Sequence, residues 1–342
     1  MKNLRKSLSL ILVLAFMVSL AAYGGQSTPA GAAEAPACPP VTLKFGYGSS
    51  ASNINGLSYQ YLIEQIHEKS NGSITVEFYP AGSLVGATEM LDAVMTGNVD
   101  MGHFMVADLS PMMRALTPFE IPGAYPGDRF MEWSELVHPI VDEIFQQYGL
   151  KYYASIAQDV QVILGANKVY RHPDEMQGQL IRVSGRWFSE AVRAWGGAPT
   201  TIPIQDLSTA LERKMVDGVY TAWIAVLGYR LYENIHSLTL TDQQENFVGV
   251  MMNLDVWNKL TDIQKDAMQT AFEAYRPWNY DRMIAEKNVL YDVLKEHGVE
   301  VYELTDEENA AFRERNAHLM DEARAVGGEY GAKLIEIFES MR

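Results

Sequence analysis

An internal echo constrains this chain more than any other feature. Residues 43–48 are a β-like run ending in Gly46 and Gly48, and 57–69 follow with Leu57, Tyr61, Leu62 and Ile66 at helical spacing. Asn71-Gly72 breaks the chain, Ile74, Val76 and Phe78 alternate as in a strand, and a helical stretch over 88–95 leads into an apolar strand at 99–104. The same order of strand, helix, strand, helix, strand returns at 180–183, 188–195, 200–204, 206–214 and 216–220. Within it, Ala93-Val94 and Val99-Asp100 match Ala210-Leu211 and Val216-Asp217 at identical spacing. Strands alternating with helices build parallel sheets whose carboxyl ends open a ligand crevice. Two such α/β lobes therefore predict a cleft between them, and 342 residues are enough chain for both.

The segments between the repeats predict how the lobes are joined. A Pro-rich stretch over 111–128 and a helix over 131–148 precede two strands, 151–157 and 160–166, that carry the chain into the second lobe. An apolar strand at 247–254 returns towards the first, so the chain crosses more than once. A long late helix over 261–298 opens at the cap-like Thr261-Asp262 and contains Pro277, and Thr305-Asp306 opens a last helix. The expected division is lobe I at 42–157 and 246–275, lobe II at 158–245 and 276–325, the long helix spanning both, and a C-terminal tail at 326–342.

The amino terminus reads as an export signal. Lys2, Arg5 and Lys6 precede an almost unbroken apolar run over 8–22, too short for a comfortable membrane span. Residues 1–32 are the expected signal peptide, with Ala30-Gly31-Ala32 as the small-x-small site, and 33–41 a leader. A lipid anchor would need cysteine after Leu20-Ala21-Ala22, where Tyr23 stands, and Cys38 is too far downstream. The full chain carries 27 Lys+Arg against 43 Asp+Glu, a net charge of -16, and losing three cations with the signal takes it to -19. Such a chain repels nucleic-acid backbones and anionic membranes. One cysteine leaves no intramolecular disulfide and no Cys-rich metal site.

No catalytic signature stands out. Gly46-Tyr47-Gly48-Ser49-Ser50-Ala51 fits the spacing of a dinucleotide loop, but its helix starts late and no acidic residue follows at the required distance. There is no nucleophile elbow, no Walker A loop and no His/Cys ligand cluster. Arg182 differs, because it lies inside the apolar strand Ile181-Arg182-Val183, near a carboxyl end that should face the cleft. A buried guanidinium needs an anion, and its fork matches a carboxylate; the alternative is a salt bridge within the lobe. Trp187, Tyr220 and Trp223 lie close by in sequence and can wall the same cleft or pack the core.

Ile181-Arg182-Val183, Ala210-Leu211 with Val216-Asp217-Gly218, and Leu231-Tyr232-Glu233 resemble the solute-binding receptors of tripartite ATP-independent periplasmic (TRAP) transporters, typified by the dicarboxylate receptor. The resemblance covers about residues 41 to 330. It implies a two-lobed, type II-like periplasmic binding fold that closes on a small organic acid and delivers it to the small and large membrane subunits of a permease. It implies no catalysis, and no cofactor or metal-ligating residue is expected. A monomer is expected, with the long helix as the surface for any dimer.

Carried over by position, Arg182 is the arginine that grips the ligand carboxylate. Thr221 stands where many members have asparagine, and Ile204 near a position that is often aromatic. A second arginine common upstream is replaced by Gln158 and Gln161. These departures argue against dicarboxylate and sialic-acid-like ligands and for one carboxylate on a less polar, aromatic body beside Trp187, Tyr220 and Trp223. Tyr47 and Phe104, at strand ends of the first lobe, complete the candidate set. Two other classes share parts of this pattern: the binding protein of an ATP-driven importer, and a secreted enzyme acting on a small organic acid.

Overall fold

The computed structural model describes residues 38–126, 129–156, 160–245 and 247–341. The expected signal peptide and most of the leader lie outside the described residues, as does Gln158. Two mixed sheets carry the fold. The first is ordered β2-β1-β3-β10-β4 and the second β11-β9-β5-β8-β6-β7.

In the first lobe, β1 (Val41–Gly46) is followed by α1 (Ile54–Lys69), β2 (Ile74–Tyr79), α2 (Met90–Met95) and β3 (Met101–Met105). α1 begins where Asn53 accepts the Gly56 N–H at 2.8 Å, three residues before the apolar periodicity becomes visible. A short α3 (Val106–Leu109), a 3-10 stretch (Arg114–Glu120), α4 (Phe130–Gln146) and β4 (Leu150–Ile156) come next.

The second lobe starts with β5 (Val160–Gly165) and repeats the unit: β6 (Leu180–Val183), α5 (Arg186–Ala194), β7 (Ala198–Thr201), α6 (Leu207–Glu212) and β8 (Gly218–Ala222). β1 and β6 each pair in parallel with both partners of their unit. The expected strand at 200–204 lies earlier, because Pro203 cannot donate to a ladder and instead leads into a 3-10 turn at Ile204–Asp206.

The echo has a physical cause. Asp100 Oδ2 accepts the Lys44 N–H of β1 at 2.7 Å, and Asp217 Oδ2 accepts the Leu180 N–H of β6 at 2.8 Å. In each lobe the aspartate entering the third strand thus ties down the central one.

A turn of helix α7 (Ile224–Gly228) precedes β9 (Ser237–Glu245), β10 (Val248–Asn253), α8 (Leu254–Lys259) and the long α9 (Asp262–Glu296). β10 runs antiparallel between β3 and β4, and β5 antiparallel between β8 and β9, so each sheet is finished by a strand from the other half of the chain. Thr261 and Gln264 cap α9 reciprocally, and the helix runs through Pro277 without a non-helical residue. Its first part holds lobe I: Trp278 stacks on Tyr61 at 4.0 Å and Asn279 donates to Ser58. Its end leads into β11 (Glu300–Glu303), which pairs with β9 in lobe II.

α10 (Asp306–Arg315) and α11 (Ala317–Ser340) follow. Residues 326–340, expected as a tail, form the second part of α11. The reason is burial: Leu334, Ile335 and Phe338 are fully buried, with Phe338 packing on Tyr125 at 5.0 Å and Phe119 at 5.3 Å. The first part of α11 reaches lobe II, where Glu322 pairs with Arg186 at 2.8 Å. Between them Gly328 leaves the helical region at φ 60°, ψ -149°.

Candidate functional site: a buried arginine beside an interlobe cavity

β6 is a strand buried from Ile181 to Val183, and Arg182 sits in it with only 3 % of its surface exposed. Its neighbour β8 fits between β5 and β6 because Gly218 has no side chain; a Cβ there would lie 2.7 Å from the Leu164 carbonyl oxygen of β5 and 3.0 Å from Ile181 Cδ1 of β6. Arg182 Nε donates to the Ile202 carbonyl at 2.9 Å, Nη1 is buried without a partner, and no carboxylate pairs with the guanidinium among the described residues. Burial lowers its pKa, the mark of a cation held away from water without its counter-charge.

Parallel register sets which candidates accompany it. Arg182 pairs with Val219 of β8 and with Thr200 of β7, so Thr221, two residues beyond Val219, shares the Arg182 face. Thr221 is buried. Tyr220 points to the opposite face, fully buried between Trp195 at 5.1 Å and Phe188 at 5.6 Å. Ile204 begins the 3-10 turn just after the carbonyl that Arg182 holds, half-buried against the core. Trp223 follows directly after β8 and is buried, its backbone N–H directed to the Val160 carbonyl at 3.4 Å.

Trp187, in the first turn of α5, lines a cavity of about 590 Å³ between the lobes. Ser184, Gly185 and Arg186 flank it on the same wall, and Asp108 and Glu120 face it from lobe I. Burial pushes the Glu120 carboxyl up to about 7, with Asp108 adding to the rise while Ser110 and Arg186 offset part of it. Burial also raises Asp108. Sequence reasoning passed over both acids. The available signal was a lone carboxylate in Pro118-Phe119-Glu120-Ile121, where apolar neighbours exclude water.

The first-lobe candidates stand apart from that wall. Tyr47 packs edge-on to Tyr59 at 5.0 Å and His103 at 5.2 Å, and its hydroxyl donates to Asn53. His103 Nδ1 is hydrogen-bonded to the Tyr59 hydroxyl, and desolvation lowers its pKa to about 4, so it is neutral near pH 7. Phe104 sits among Phe145 and Phe247 and borders a smaller cavity of about 230 Å³ with His103 and Asp108. Among the described residues, no group of three or more His, Cys, Asp or Glu side chains could hold a metal ion.

The profile of the bacterial extracellular solute-binding proteins of family 7, the DctP family, matches residues 45–325. The chain belongs to this family. A relative from Escherichia coli K12, the 2,3-diketo-L-gulonate-binding periplasmic protein YiaO, is 24 % identical over 96 % of this chain and 97 % of its own. A TRAP periplasmic solute-binding protein from Ochrobactrum anthropi superposes with a TM-score of 0.81 at 23 % identity, covering 89 % of this chain and 96 % of that one. The ectoine-binding protein TeaA of a TRAP transporter gives 0.81 at 18 % identity, over 88 % of this chain and all of that one. The two-lobed fold with its long late helix is thus that of the TRAP solute receptors, as the sequence resemblance implied.

Proposed function

We propose that this family member is an exported receptor that captures a small organic carboxylate by closing its lobes on it and hands it to a TRAP membrane permease. One observation carries the ligand chemistry: a buried guanidinium whose Nη1 has no partner. A structural salt bridge would have supplied a carboxylate at that position, and a solute carboxylate fits the vacant side of the fork. Thr221, on the same face of the sheet, can donate its hydroxyl, while Trp187, Trp223 and Ile204 supply apolar wall, and Gln158 remains a candidate from the lobe-to-lobe connection. Tyr220 is left out of the proposed contacts because it belongs to the other face.

Open lobes admit the solute, its carboxylate meets Arg182, and closure expels water and lowers the local dielectric, which strengthens the ion pair. A micromolar ligand releases about 8 kcal/mol, of which only the part that differs between open and closed forms drives closure. The names of the relatives, which bind a sugar acid and ectoine, support a small polar solute. The Lys2, Arg5 and Lys6 leader supports export.

Calorimetry on Arg182→Lys tests the assignment. Lysine keeps the charge and loses the planar fork, so affinity for the solute released from the purified protein should fall by at least tenfold, about 1.4 kcal/mol. Unchanged affinity refutes the role given to Arg182.

A further inference from the structure

The cavity between the lobes has walls of opposite character. Lobe I contributes Asp108 and Glu120, with Ser110, Thr117 and the exposed Arg114 around them. Lobe II contributes Ser184, Gly185, Arg186 and Trp187, directly beyond the strand that carries Arg182. Arg186, the cation that acts on Glu120, is already engaged: it pairs with Glu322 at 2.8 Å and lies 4.9 Å over the Trp187 ring. Glu120 Oε2 is buried with no hydrogen-bond partner, and burial outweighs Arg186 and Ser110 in pushing its carboxyl up to about 7. Glu120 is thus a half-buried carboxyl beside the exposed Asp108, and among the described residues neither acid forms an ion pair, with Arg186 or with the exposed Arg114.

We propose that the solute is amphoteric, its carboxylate held by Arg182 of lobe II and a cationic nitrogen received by Glu120, with Asp108, of lobe I. This rests on the carboxylate reading of Arg182 and adds the other end of the molecule. A ligand with one charge for each lobe joins both ends only in the closed form, so its ion pairs contribute to closure rather than to capture alone. Trp187, whose ring already accepts one cation on its face, walls the path between the two ends. The arriving cation deprotonates Glu120, so binding near neutral pH releases a proton.

Calorimetry with matched acids tests the proposal: β-alanine against propionate, γ-aminobutyrate against butyrate, and phenylalanine against phenylpropionate, with butylamine as the amine alone. At least one amino acid should bind roughly tenfold or more tighter than its unaminated partner. Its heat should change with buffer ionisation enthalpy as proton release requires, and Glu120→Gln, or Asp108→Asn if that variant fails to fold, should close the gap. Equal or tighter binding of the unaminated acids overturns the proposal, as does failure of every amino acid to bind. If those acids bind through Arg182 with no preference for an amine, the cation end falls and the carboxylate reading stands. If butylamine binds as well as the amino acid and Arg182→Lys changes nothing, the carboxylate reading falls too.

Discussion

Replacing Arg182 by methionine separates a ligand-binding arginine from a structural one through the size of its effect on the ligand-free protein. In the structure the guanidinium is 3 % exposed, makes one hydrogen bond from Nε to the Ile202 carbonyl, and leaves Nη1 without a partner. Methionine fills similar volume and removes the orphaned donor, a gain of about 1–3 kcal/mol, while giving up the Nε bond, a loss of about 1.5–3 kcal/mol. The two nearly cancel. The empty variant should therefore lie within about 1.5 kcal/mol of wild type, whereas removing one partner of a buried ion pair costs about 3–5 kcal/mol. Urea unfolding of both proteins, stripped of solute by partial unfolding and dialysis, measures the difference. Added solute should then stabilise wild type and leave Arg182→Met unmoved. A loss above about 3 kcal/mol in the empty variant would mean that Arg182 serves an internal pair, and the ligand assignment would fail.

The remaining predictions draw on other parts of the fold. Glu120 is raised from 4.5 to about 7, so its contribution is greatest below its unfolded value and is lost as pH rises through that window. At about 1.4 kcal/mol per pH unit this loss is at most about 3 kcal/mol, and less with its residual exposure. His103 and His138, lowered from 6.5 to about 4, act oppositely, and stability should fall as pH drops through that range. The windows overlap and two histidines outweigh one carboxyl, so urea midpoints should rise from about pH 4 to a maximum near 6.5 and then decline slightly as Glu120 finishes ionising; Glu120→Gln should steepen the rise and remove the decline. Gly165→Ala would put a Cβ 1.8 Å from the Lys168 carbonyl oxygen, so a loss of about 3 kcal/mol or more is expected in thermal unfolding. Gly328→Ala meets no atom within 4 Å, yet its backbone conformation disfavours any side chain; a loss of about 1–3 kcal/mol should appear, and a neutral result would mean that α11 straightens there. Trp187→Ala should remove the ligand-dependent part of the tryptophan fluorescence more than Trp223→Ala does; the reverse would place the solute on the β8 side.

The paired units were legible because helix and strand periodicities differ, and because Asp100 and Asp217 perform the same task at the same spacing. Arg182 was legible for a related reason: a charge between Ile181 and Val183 contradicts its surroundings, and the contradiction marks a site. The facing of Tyr220 was not. In β8, residues 218–221 are all buried, so polarity does not alternate and nothing local says which side chains face α5. Only pairing with β6 reveals it. The second part of α11 was read as a tail because its apolar residues gain their meaning from Phe119 and Tyr125, which lie some two hundred positions earlier in the chain. Asp108 and Glu120 belong to no periodic pattern, and what sets them apart is desolvation in the folded chain, strong for the half-buried Glu120 and weaker for the exposed Asp108.

The handover of strands between the sheets has a further consequence. β4 ends at Ile156 beside Val248 of β10, and β5 begins at Val160 beside Glu245 of β9, so the chain passes between the lobes twice at neighbouring points. The long α9 and the kinked α11 reach across as well. Neither lobe is a continuous stretch of gene, and exchanging one for a relative's would need matched splices at β4–β5, at β9–β10 and within both helices. The halves of this receptor cannot be traded as cassettes. A new preference for solute has to be built by substitutions on both walls of the cleft, within a frame that each half helps the other to complete.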